Sequence, residues 1–83
     1  MKIGYFADGP WSHLALEKIS SRKDLEVVFI VPRYDSQDPV LLEWARKLKV
    51  EFIPLSNVNS PSSIKKIESF RADLFISMSF DQI

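Results

Sequence analysis

Lys2–Ser12, KIGYFADGPWS, decides the fold. Ile3, Gly4, Tyr5 and Phe6 form an apolar run, Ala7, Asp8 and Gly9 a tight turn, and a helix opens at Pro10. An apolar run without polar alternation is what a central parallel strand requires, because helices cover both of its faces. The turn then releases the chain at the carboxyl end of that strand, where open α/β sheets place their ligands. The stretch reads as the first βα unit of a doubly wound domain, with later elements added beside it.

The rest of the chain repeats that pattern. Trp11–Arg22 is predicted helical, with Leu14, Ala15 and Ile19 sharing an inward face with Trp11. Asp8 or Gly9 caps it, and Pro10 suits the first helical position, where a missing N–H costs nothing. Leu25–Val31, LEVVFIV, is a β-branched and aromatic run of the kind buried on both faces. Pro32–Asp38 is a loop, and Asp38-Pro39 starts a second helix, Pro39–Lys49, with Leu41, Ala45 and Leu48 as its buried stripe. Val50–Leu55 is a short strand whose proline suits a sheet edge. Ser60-Pro61 opens a third helix, with Ile64, Ile67 and Phe70 or Arg71 facing or bordering the core, and Asp73–Ser79 is the fourth strand. Four strands alternating with three helices over short connections give an α/β fold with a parallel sheet and right-handed crossovers. The simplest order is 3-2-1-4, which brings Ala7–Ser12 and Ser79–Gln82 together where the winding reverses.

Composition narrows the function. With 83 residues the chain supports one small domain. Eleven Lys and Arg balance eleven Asp and Glu, so no basic surplus points to nucleic acid or an anionic membrane. The absence of cysteine removes disulfides, thiolate metal sites and cysteine nucleophiles together. No apolar run approaches the roughly 20 residues of a membrane span, and no signal-peptide layout opens the chain. A cytoplasmic location is expected.

The best site candidate is Asp8-Gly9-Pro10-Trp11-Ser12, a turn that ends in a helix N-terminus with free N–H groups. The dinucleotide fingerprint G-x-G-x-x-G is missing, since Gly4 lies inside the strand and only Gly9 is in the turn. Arg33, Tyr34, Asp35 and Asp38 follow the second strand on the same side, and an aromatic beside an arginine suits a planar or phosphorylated ligand. His13, the only histidine, is expected at the surface of the first helical turn. No carboxylate pair is placed for acid–base work and no serine has a base partner, so these residues alone hold no catalytic set.

MKIGYFADGPWSHLALEKI and RADLFISMSFDQI resemble the beginning and the fourth-strand region of the formyltransferase family, which includes methionyl-tRNA formyltransferase and the sugar N-formyltransferases. The resemblance implies a Rossmann-like fold and transfer of a formyl group from 10-formyltetrahydrofolate to an acceptor amine. It places Phe80, Asp81, Gln82 and Ile83 beside the folate, and the turn Asp8–Trp11 on the cleft. The family's catalytic Asn-x-His motif and the Asp beyond it have no counterpart here. The whole chain, residues 1–83, is therefore expected to be the N-terminal subdomain of such an enzyme, inactive alone, with self-association through an open fourth strand. After the second strand, VPRYDSQDPVLLEWA is shorter and less basic than the tRNA-acting members carry, and closer to sugar-acting ones. The acceptor implied is a small amine, a nucleotide-linked amino sugar before a tRNA, with Arg33 and Tyr34 on its side of the site. The alternative is a small non-catalytic α/β module that binds a ligand or partner at the same place.

Overall fold

The structure, a computed structural model, describes residues 1–78 and residue 80. Its elements are β1 (Lys2–Ala7), α1 (Pro10–Ser20), β2 (Glu26–Val31), α2 (Pro39–Leu48), β3 (Glu51–Phe52), α3 (Pro61–Glu68) and β4 (Leu74–Met78). The strands form one sheet in the order β3-β2-β1-β4, with every pairing parallel. This is the doubly wound, Rossmann-like arrangement expected, and β1 lies at its centre.

Winding direction sets the layers. The chain moves one way from β1 to β3 and then returns past β1 to β4, so right-handed crossovers put α3 on the opposite face from α1 and α2. Tyr5, Ala7, Val27 and Ile30 accordingly pack with Leu16 of α1 and with Leu41 and Ala45 of α2. Phe6, Phe29 and Val31 pack with Ile67 of α3 and with Val58 from the loop before it. A β-bulge between Ile3 and Gly4 makes this possible: Ile3 pairs with Val27 but Gly4 with Phe29, which leaves Val28 as the extra residue. The bulge shifts the alternation of β2, so Val27 and Ile30 serve one face while Phe29 and Val31 serve the other.

Three hydrogen bonds beyond the strand ladder fasten the two ends of β4 to β1. Near its start, the Lys2 N–H donates to the Asp73 carboxylate at 2.7 Å, and the Asp73 N–H donates to the Lys2 carbonyl at 2.7 Å. At the far end the Asp8 N–H donates to the Met78 carbonyl at 3.0 Å. The outer side of β4 is an edge, where Leu74 and Phe75 are exposed. An apolar cleft of about 400 Å³ opens there, lined by Phe6, Val58, Ile64, Ile67 and Phe75.

Several expectations are corrected. The buried stripe of α1 runs through Ser12 and Leu16 with Ala15 and Ile19 half-buried, while Trp11 and Leu14 are 71% and 53% exposed. Ser12 is small enough to sit against β1, and a Trp at that contact would hold the helix away from the sheet. Instead the Tyr5 hydroxyl donates to the Ser12 carbonyl at 2.7 Å inside the core. Burial pushes this phenol up to about 12, so it stays a donor. The third strand covers only Glu51–Phe52, with one further bond from the Ile53 N–H to the Ile30 carbonyl; the next rung would need an N–H from Pro32, which has none. In α3 the inward residues are Ser63 and Ile67, whereas Ile64 is exposed.

Gly4 is where the fold tolerates least. A Cβ there would stand 2.4 Å from Phe29 Cζ and 2.9 Å from Phe75 Cδ1. Replacing it with alanine forces those rings apart, and overpacking of this kind costs about 1–3 kcal/mol. Urea unfolding of Gly4→Ala is expected to show a midpoint lowered accordingly. An unchanged midpoint shows that the rings yield freely.

Candidate functional site

The candidate site lies at the carboxyl ends of the strands, where the chain leaves β1 and β2 for α1 and α2. Gly9 is the hinge of the first turn, with φ 83° and ψ 174°, a conformation in which a side chain would be strained. That sharp exit lets Pro10 begin α1 at once. Gly9 supplies no side-chain cap; its carbonyl accepts from the Ser12 hydroxyl at 2.6 Å and from the Ser12 N–H at 3.0 Å. Asp8 is half-buried, held by its N–H to Met78, while the Trp11 ring stands free of the core at the rim.

The second wall comes from the loop after β2. Arg33 is half-buried and pairs with Asp35 at 3.3 Å, and Tyr34 is exposed, with its carbonyl accepting from the Gln37 side-chain amide. At the loop's end Asp38 caps α2, Oδ1 accepting from the Val40 N–H at 2.9 Å. Its other oxygen reaches across to the first turn. Asp38 Oδ2 accepts from the Gly9 N–H at 3.2 Å and lies 2.6 Å from His13 Nε2. One carboxylate therefore ties the N-termini of two neighbouring helices together.

The electrostatics follow from that geometry. Partial burial pushes the Asp38 carboxyl up, but the hydrogen bond with His13, the Val40 N–H, the His13 charge and the Gly9 N–H outweigh it, leaving the group below its ordinary range. Only 11% of the Asp38 side chain and 23% of the His13 side chain meet solvent. The expectation of a surface histidine is thus corrected: His13 is half-buried and engaged. What brings it inward is a partner 25 residues away, which local spacing does not announce.

The structure brings the predicted turn, Asp8 to Trp11, alongside the Arg33–Asp38 loop, and brings both to the same end of the sheet as β4. Phe80 sits at that end too, its ring 5.6 Å from that of Phe6 in the α3-side aromatic cluster. Its side chain thus packs against the core. Asp81, Gln82 and Ile83, with Ser79, lie outside the described residues. Among the described residues no group of His, Asp and Glu is placed to hold a metal ion. What remains is a binding rim: backbone N–H groups at a helix start, exposed Trp11 and Tyr34, a guanidinium, and an oriented imidazole. Compared with protein-family models and with curated proteins, the sequence matches none.

Asp38 makes the site sensitive to acid. Its carboxyl lies below the ordinary 3.8 in the folded chain, so the unfolded state takes up its proton first as pH falls. The stability it contributes is full above that value and is lost as pH drops through the lower, folded one. Asp38→Ala removes a helix cap, a change worth about 1 kcal/mol. Thermal melts at pH 7 are expected to separate the two proteins by that order, and the gap is expected to narrow as pH falls below the ordinary 3.8. A gap that persists in acid assigns the effect to packing.

Proposed function

We propose that this chain is the N-terminal part of a 10-formyltetrahydrofolate-dependent formyltransferase that delivers a formyl group to an acceptor amine. The observation that carries the reading is the meeting of the two chain segments with family-like sequence. The turn after β1 and the end of β4 are joined by the Asp8–Met78 hydrogen bond, where the order 3-2-1-4 reverses. In this reading Phe80, Asp81, Gln82 and Ile83 border the folate. Asp8, Gly9, Pro10 and Trp11, with Arg33 and Tyr34, line the acceptor side.

The chemistry divides accordingly. The amine attacks the formyl carbon, the bond from that carbon to the folate nitrogen breaks, and the amine nitrogen gives up a proton to a base. Polar donors must steady the oxyanion that forms in between. This chain supplies binding surface for such a reaction and no catalytic set, so by itself it is inactive. The Arg33–Asp38 loop offers one guanidinium already paired with Asp35, a modest charge that suits a nucleotide-linked amino sugar better than a tRNA, whose phosphates call for a basic surface. The proposal places the protein in the cytoplasm; among the described residues no helix is long and apolar enough to cross a membrane.

The same reading gives β4 its partner. Among the described residues no strand pairs with its outer edge, which runs over five uncharged residues, LFISM, with Leu74 and Phe75 exposed, and such an edge recruits further strands. The 83-residue chain is expected to self-associate through it, and light scattering at rising concentration checks this. A monomer at every concentration, melting cooperatively well above room temperature, contradicts it.

The activity is tested on the gene product that contains this chain. Incubated with 10-formyltetrahydrofolate, it is expected to release tetrahydrofolate when given a nucleotide-linked amino sugar, and not when given aminoacylated tRNA. Release with neither acceptor, in a protein lacking an Asn-x-His pair beyond residue 83, removes the formyltransferase reading and leaves the ligand-binding module.

A further inference from the structure

The aromatic rim and the open edge are already assigned above. The His13–Asp38 pair is not. A carboxylate only accepts hydrogen bonds, so the 2.6 Å contact between His13 Nε2 and Asp38 Oδ2 requires the proton to sit on Nε2. In the neutral ring the other nitrogen, Nδ1, then holds a lone pair and no hydrogen. Asp38 is itself fixed by the Val40 N–H through one oxygen and by the Gly9 N–H through the other. The imidazole is thereby set in one tautomer in the first turn of α1, three residues after the proline that opens the helix.

We infer that His13 is a ligand-contacting residue of this site, whose Nδ1 accepts a hydrogen bond from a hydroxyl or amine of the ligand, and that Asp38 is its positioning residue. The inference rests on the reading of the Asp8–Trp11 turn as the acceptor rim, and it adds the group through which that rim recognises a donor.

Two measurements on the 83-residue chain test it. Long-range proton–nitrogen spectra of the labelled protein with a neutral ring are expected to show the proton on Nε2, and a mixture of tautomers in Asp38→Asn. A wild-type ring protonated on Nδ1 overturns the pairing whatever the ligand is. Calorimetric titration with UDP-glucosamine, a nucleotide-linked amino sugar, then probes the contact. Binding is expected to be retained in His13→Gln, whose amide keeps both a donor and an acceptor, and to be several-fold to about tenfold weaker in His13→Phe. Equal binding by the Gln and Phe variants, both folded by circular dichroism, overturns the contact while leaving the proposed function standing. No binding by the wild-type chain counts against the acceptor reading, and the contact falls with it even if the tautomer is as expected.

Discussion

A missing side chain at the centre of the sheet is the constraint on which the rest depends. Gly4 in β1 lies under the rings of Phe29 and Phe75, which occupy the space a Cβ would need. Around that gap Phe6 meets Phe29, Phe75 and Phe80 edge-on with ring centres 5.6–5.8 Å apart, and Phe29 meets Phe70 at 4.9 Å. Edge-to-face pairs of this kind add to the burial of the rings themselves. They come from three strands, the end of α3 and the segment after β4, so one cluster holds the second layer of helix onto the sheet. The smooth hydrophobic face of a longer side chain at position 4 would prop these elements apart.

With the sheet order fixed in this way, the position of the site follows. Both turns that leave the sheet toward α1 and α2 emerge at one end, and Asp38 joins them. Its carboxylate accepts from two backbone N–H groups and an imidazole. The result is a rigid rim with exposed aromatics beside it. Such a rim can hold and orient a polar ligand.

How much of this the sequence disclosed depends on the range of the interaction. The apolar runs Ile3–Phe6 and Leu25–Val31 announced central strands because their composition records burial on two faces. Asp38-Pro39 and Ser60-Pro61 announced helix starts because a cap and a fixed φ are local properties, and both caps form as read. The buried face of α1 was misread, since Trp11 and Leu14 fit the helical period as well as Ser12 and Leu16 do. The choice between those stripes was made by the close approach to Tyr5, a tertiary fact. For the same reason the bulge at Val28 and the His13–Asp38 contact left no mark on the sequence. Each depends on a residue more than twenty positions away.

The order of the strands also bears on how the protein comes off the ribosome. Among the described strands β1 is an inner one, and β4, its neighbour on one side, is made after all the others. Until β4 emerges, β1 has one flank bare, and the aromatic cluster lacks two of its rings. Contacts spanning some seventy residues close late, after the β1–α1–β2 portion has had time to gather locally. A nascent chain of this topology waits half-built, with its stickiest strand uncovered, which is the interval in which chaperones earn their keep.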